Sequence, residues 1–448
     1  MRQQAPTPAA DITLTGSRDV PSASGSTVWR VHLLHAPAEV AQLSRSWELP
    51  PGTSLAIGRS ATDANIGIRD PRMSRVHARL ALASAGAQPT LSDCQSRNGT
   101  ELGGAPVTRA DEEVPDGALL RLGDSFLLLR RWPVRAEDAD VSGLLGVSPA
   151  MCALRARLVQ LAPQATSVLV RGETGTGKEL VSAALHRLSG RTGALVAVNC
   201  AAIPAELAES QLFGHAAGAF TGARAHAGFF RSADHGTLLL DEVGELVAHL
   251  QPKLLRALET RTITPLGTSE PAACDVRVVA ATNRNLELAL ASGVFRRDLY
   301  ARLAQAVLQI APLRERREDV LPLLQFAGVE IATLPPHAIE RLLLHRWPLN
   351  VRELLRVADH LRHHTLDEGL RLGLEAAGPE PAPATGTARS RPAPLGRAEP
   401  TREQLEGALQ RHRGMVLALS RELGWSRRQI GRFLAAHQLD PRRFRERG

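Results

Sequence analysis

Lysine is almost missing from this chain. Its 448 residues carry 54 Lys and Arg together, of which only Lys178 and Lys253 are lysine. Aromatic residues amount to 3% with a single tyrosine, so cores must be packed from Leu, Val and Ala. The four cysteines, Cys94, Cys152, Cys200 and Cys274, show no C-x-x-C spacing and no histidines at metal-site intervals, which excludes a disulfide framework and a zinc site. No stretch approaches the roughly 18 apolar residues of a membrane span. The N-terminal "MRQQAPTPAADITLTGSRDV" has no apolar segment behind its Arg. A soluble cytoplasmic protein is expected.

What is present is length and an uneven positive charge. At about 150 residues per domain the chain should hold about three. The formal net charge is +8, and residues 401–448 alone carry 11 Arg against 5 Asp or Glu. That surplus points to a polyanionic partner for the tail. Residues 1–27, rich in Ala, Pro, Ser and Thr, are expected to form a disordered arm. From 28 to 131, short runs such as "VWRVHLL", "SLAIGR" and "LLRLGDSFLLLRR" between turn residues predict an all-β sandwich or barrel. After a linker at 132–142, helix-length amphipathic segments alternate with buried strands ("SVLVRG", "TLLLDEV", "VRVVAATN"), predicting a parallel α/β sheet over 143–311. Only helical periodicity remains over 312–374. Residues 375–400 form a Pro/Ala-rich linker, and 401–448 a small helical module.

"GETGTGKE", Gly172, Glu173, Thr174, Gly175, Thr176, Gly177, Lys178 and Glu179, lies between a predicted strand and a predicted helix. That is the context of a phosphate loop: glycines let backbone N–H groups close on the β-phosphate, the helix N-terminus adds positive potential, and Lys178 reaches the β/γ-phosphates. Glu179 stands where Ser or Thr usually supplies a Mg²⁺ ligand. Asp241 and Glu242, ending the buried strand in "GTLLLDEVGEL", fit a second nucleotide motif, with Asp241 toward Mg²⁺ and Glu242 polarising the attacking water of ATP hydrolysis. Asn283 ends a strand as a polar sensor near the γ-phosphate. Arg296 and Arg302 in "FRRDLYARL" and Arg352 in "WPLNVREL" are candidates for neutralising phosphoryl charge, in cis or from a neighbouring subunit of a ring.

These segments, with "VAVNCAAIP", "ESQLFGHAAGAFTGA" and "LRERREDV" in the same order, resemble the AAA+ domain of bacterial enhancer-binding activators of sigma-54 RNA polymerase. The likeness covers roughly residues 143–360. It carries several implications. Glu179 is normal for the family. Asn199 would couple Glu242 to the γ-phosphate state, Arg296 and Arg302 would act in trans in a hexameric ring, and Arg352 would be the lid sensor. Gly218, Ala219, Phe220, Thr221, Gly222 and Ala223 match the mobile loop that touches sigma-54, with Phe220 and Thr221 as contacts and the glycines allowing a tight tip. Departures are Ala216 and Ala217 in place of a commonly charged pair, Arg231 for an acid, Arg297 for Glu, Leu349 for Gly, and a shortened stretch between Leu323 and Arg346.

In the β domain, "IGRS", "MSRVH" and "SRNGT" place Arg59, Ser74, Arg75, Arg97 and Asn98 in loops, a donor set suited to a phosphate. The three motifs resemble a forkhead-associated (FHA) domain. The resemblance implies phosphothreonine-peptide binding, with Arg59 and Ser74 on the phosphate, Asn98 on the peptide backbone and His77 in a structural role. The tail's three amphipathic segments with a Gly-Trp-Ser turn read as a helix-turn-helix presenting Ser426, Arg427, Arg428, Gln429 and Arg432 to the major groove, and are similar to the Fis-type module of the same activators.

The expectation is a multidomain transcriptional activator: FHA sandwich, α/β AAA+ ATPase with helical lid, then all-α DNA-binding module. ATP and Mg²⁺ would be its cofactors; sigma-54 holoenzyme, enhancer DNA and a phosphothreonine protein or peptide its partners, with a Ser/Thr kinase pathway as source of the signal. Two other readings compete: a DNA-binding regulator whose ATPase fold does not remodel polymerase, and an AAA+ remodeller of a non-transcriptional client.

Overall fold

The computed structural model describes residues 27–38, 45–134, 138–219 and 224–375, together with Leu405, Leu409, Arg411 and Leu439. The chain divides into two compact units, Met1–Glu380 and Pro381–Gly448. The helix-turn-helix expected at 401–448 lies outside the described residues.

The first unit opens with eleven strands: β1 (Thr27–His35), β2 (Ser46–Leu49), β3 (Thr53–Gly58), β4 (Ile66–Gly67), β5 (Ala78–Leu82), β6 (Thr90–Asp93), β7 (Thr100–Leu102), β8 (Ala105–Pro106), β9 (Glu112–Glu113), β10 (Ala118–Leu122) and β11 (Ser125–Pro133). They form two sheets, ordered β2-β1-β11-β10-β7-β8 and β4-β3-β5-β6-β9, the sandwich expected from the sequence. Alternation sets the facing side chains: Val31, Leu33, Leu120, Leu122, Leu127 and Leu129 point inward onto Ile57, Leu80 and Leu91 of the second sheet. Of the intervening residues, Leu119, Phe126 and Leu128 are apolar too, so both faces of β10 and of the first half of β11 are buried.

The ATPase core follows with α1 (Pro149–Leu161), β12 (Val168–Arg171), α2 (Lys178–Leu188), β13 (Leu195–Asn199), α3 (Ala205–Phe213), α4 (Gly228–Ser232), β14 (Thr237–Asp241), α5 (Gln251–Thr260), the short pair β15 (Thr262–Ile263) and β16 (Ala272–Ala273), β17 (Arg277–Thr282), α6 (Leu286–Ala291), α7 (Arg297–Leu303) and β18 (Ala306–Gln309). Five of these strands make a parallel sheet, β13-β14-β17-β12-β18. Leu169, Leu238, Leu240, Val278 and Ala280 pack on one side, and Val168, Val170, Leu239, Val279 and Ala281 on the other. Such apolar runs are required when helices cover both faces. Register brings the strand ends level: Asn199 lies opposite Asp241, and Arg171 opposite Thr282. The loops that follow these four strands therefore converge on one edge.

The lid comprises α8 (Val320–Phe326), α9 (Pro336–Leu344), α10 (Asn350–His363) and α11 (Leu366–Glu375). Its core gathers Leu324, Ile339, Leu342, Trp347, Leu354 and Val357.

Candidate functional site

The "GETGTGKE" loop joins β12 to α2. Gly175 and Gly177 hold φ of 78° and 103°, values an L side chain rarely adopts, and Gly177 caps α2. Lys178, only 8% exposed, donates from Nζ to the carbonyl of Gly172 at 3.2 Å and lies 3.6 Å from Glu242 Oε1. Asp241 ends β14, and its Oδ1 is buried with no protein partner. Glu242 follows at φ 49°, a strained conformation for a non-glycine residue, and accepts from the Asn283 backbone N–H at 3.2 Å. The Asn283 side chain donates to Thr174 Oγ1 at 3.0 Å. Acid, amide and ammonium thus meet at the edge of the sheet, around a cavity of about 610 Å³ that Thr174–Val181, Asn199, Asp241, Glu242 and Arg352 line.

Asn199 reaches this cavity, but its Oδ1 accepts the Ala201 N–H at 2.9 Å and has no bond to Glu242. Arg352 stands in the first turn of α10. Arg296 is exposed and paired with Asp298 at 2.7 Å, while Arg302 donates to the Leu258 carbonyl at 3.1 Å. Neither of these two arginines lines the cavity.

Sequence reasoning missed the cavity's apolar end and its clasp. Leu144, Leu145, Leu323, Phe326 and Leu355 supply apolar lining to the same cavity. Phe326 stays 73% exposed in a chain poor in aromatics. That apolar lining could only be assembled by folding, because its residues come from three separate chain segments, 144–145, 323–326 and Leu355. Across the phosphate loop, Arg314 makes a two-pronged pair with Glu173 at 2.6 and 2.7 Å, and this bond holds the Glu173 carboxyl below its ordinary range. Asn350, wholly buried, donates to Glu173 Oε2 at 3.2 Å and to the Thr174 carbonyl at 3.0 Å, and accepts the Leu313 N–H at 2.7 Å. The "LRER" and "WPLN" motifs were the available signals for this clasp. Leu349 sits at φ −105°, where no glycine is needed; the positive φ values fall on Trp347 and Asn350.

The Gly218–Ala223 loop springs from a two-residue stem. His215 and His226 exchange backbone hydrogen bonds, both at 2.9 Å, and their rings stack 5.7 Å apart. Gly218 has φ 79°. Phe220, Thr221, Gly222 and Ala223 lie outside the described residues.

On the sandwich, the loop candidates converge. Ser74 Oγ accepts the Arg97 N–H at 3.1 Å, the Ser74 carbonyl accepts the Arg59 N–H at 2.9 Å, and the Asn98 amide donates to the Arg72 carbonyl at 2.5 Å. Arg59, Arg75, Arg97 and Asn98 are exposed. His77 is fully buried: its Nδ1 accepts the Ser74 N–H at 3.1 Å, so Nε2 carries the proton donated to the Gly99 carbonyl at 3.0 Å. That is a loop-bracing role.

Comparison with known proteins agrees with this geometry. Residues 144–309 match the sigma-54 interaction domain, and residues 55–123 match the FHA domain. The chain is 48% identical over 251 residues to the sigma-54-dependent transcriptional regulator SfnR of Pseudomonas fluorescens, covering 54% of this chain and 67% of that protein. It is 37% identical over 357 residues to the anaerobic nitric oxide reductase transcription regulator NorR of an Enterobacter, covering 77% of this chain and 69% of that one. To UacR of Escherichia coli it is 43% identical over 236 residues, only 40% of that relative's length. Among solved structures, NtrX of Brucella abortus with ATP matches 66% of this chain and 70% of its own at 30% identity and a TM-score of 0.47. Sandwich, phosphate loop and lid define a P-loop nucleotide-binding protein joined to an FHA domain. The chain belongs to the sigma-54-dependent transcriptional regulators. Among the described residues no helix is long and apolar enough to cross a membrane.

Proposed function

We propose that the chain hydrolyses ATP in a ring of its own copies and uses the cycle to drive the Gly218–Ala223 loop against sigma-54, opening the promoter. The observation that supports this best is the single edge carrying Lys178, Asp241 and Glu242 around one cavity, with Asn283 bonded to Glu242 and Thr174 beside them and the stem of the loop built on the same subdomain. In this reading the apolar end formed by Leu144, Leu323 and Phe326 takes the adenine base, and Lys178 and the α2 N-terminus take the phosphates. The unpartnered Asp241 Oδ1 suits Mg²⁺, which would neutralise phosphate charge when bound. Glu242 orients the attacking water. In its present contacts it is held by Asn283 and Lys178, so it must swing free to do so. Arg352 senses the γ-phosphate from the lid. Arg296 and Arg302, which do not line their own subunit's cavity, serve the neighbour's.

The FHA loops bind a phosphothreonine peptide through Arg59 and Ser74, with Arg75, Arg97 and Asn98 around it. Ser426, Arg427, Arg428, Gln429 and Arg432 read upstream DNA from a C-terminal helix-turn-helix, with an affinity that falls steeply with salt.

The experiment is ATP-dependent open-complex formation with sigma-54 holoenzyme on an enhancer-bearing promoter. Wild type should open it, Thr221→Ala should hydrolyse ATP without opening, and Glu242→Ala should do neither. Hydrolysis by wild type with no opening, with and without phosphothreonine peptide, would transfer the activity to another client.

A further inference from the structure

The outer face of the sandwich's larger sheet is not a solvent surface. Leu119, Phe126 and Leu128 alternate with the inward residues of β10 and β11, and with Leu34 they are buried in one hydrophobic cluster with lid residues Leu324, Ile339 and Leu343. Strand pairing places Leu119 opposite Leu128 and Arg121 opposite Phe126, so the same face carries charges at its margins. Both find lid partners: Arg121 meets Glu340 of α9 at 2.7 Å, and Arg130 meets Glu318 at 2.6 Å. Backbone contacts tie the seam as well, Arg130 donating to the Glu315 carbonyl at 2.6 Å and Arg317 to the Gly117 carbonyl at 2.9 Å. Apolar centre and charged rim together have the anatomy of a permanent interface.

The lid side of this seam leads to the nucleotide cavity in a few contacts. Past Glu340 on α9, His345 bonds Glu353 at 2.8 Å, and Glu353 accepts the Leu349 N–H at 3.0 Å. The Leu349 carbonyl lies so close to Gly175 that a side chain there would stand 2.1 Å from it. Next in the chain come Asn350, clasped to Glu173 and Thr174, and Arg352.

We propose that the FHA domain is a structural part of the ATPase lid: its β10–β11 face is a wall of the lid core, and nucleotide affinity depends on its docking. The inference rests on the cavity's being the nucleotide site, and not on the sandwich's taking a phosphopeptide.

The test uses the full chain. Leu128→Lys puts a charge on the outer face and leaves the sandwich's own inward residues untouched. Binding of a fluorescent ADP analogue should weaken roughly fivefold or more, the usual size of a coupling between sites, and amide hydrogen exchange should rise across 336–344. Glu340→Arg should do the same to a smaller extent, with recovery in the Arg121→Glu, Glu340→Arg double variant, a result independent of whether Leu128→Lys folds. Unchanged ADP affinity with raised exchange would overturn the proposal, as would unchanged exchange in both single variants. If wild type bound no ADP analogue, the nucleotide reading would fail, while the exchange result would still decide the docking.

Discussion

Replacing Asn350 gives a prediction whose size can be worked from its contacts. The residue is fully buried, sits at φ 52°, joins the lid to the phosphate loop by two hydrogen bonds, and accepts a third from Leu313 N–H. Asn350→Ala leaves the buried Leu313 N–H without an acceptor, a loss of about 1–3 kcal/mol. Alanine in the left-handed region adds roughly 1–2 kcal/mol, which asparagine largely avoids by its local hydrogen bonding. Together these amount to about 3 kcal/mol, on the order of a hundredfold in the closing of the lid on the loop. Asn350→Gly removes the same bonds without the conformational penalty and should fall about 1 kcal/mol short of the alanine variant. ADP affinity, and amide exchange at Arg352, whose N–H is bonded across to the Gly175 carbonyl of the phosphate loop, would measure it. Equal behaviour of the Ala and Gly variants would refute the backbone argument. A change under about 0.5 kcal/mol in both would refute the clasp.

Gly175→Ala should abolish nucleotide binding while leaving the sandwich folded, because φ is 78° and the new methyl would meet the Leu349 carbonyl at 2.1 Å; calorimetric titration with ADP checks it. Burial pushes His32, at the seam between sandwich and lid, from its ordinary 6.5 down to about 4. The unfolded chain therefore takes up the proton first, so this contribution to stability is complete above pH 6.5 and is lost between 6.5 and about 4. Melting temperature against pH should fall over that window, less steeply in His32→Gln. Burial likewise raises the thiols of Cys152 and Cys274 to about 11 and of Cys200 to about 12. Alkylation of native protein at pH 8 should then mark the partly exposed Cys94 well before these three, as mass spectrometry of digests would show.

The chemistry of the nucleotide site was legible from short motifs because each is local. A phosphate loop needs its glycines and lysine within eight consecutive residues, and a strand-end acid pair needs only the apolar run before it. Periodicity was equally local, and it separated sandwich, parallel sheet and helical lid. The non-alternating "ALLRL" and "SFLLLRR" also carried a message, that both faces of those strands are covered. What covers them could not be read from the sequence, since the partner helices lie some two hundred residues downstream. The same holds for the clasp of Glu173, Arg314 and Asn350 and for the apolar end of the cavity. These contacts form between side chains whose spacing in sequence carries no period, so only the packing of lid against core and sandwich decided them.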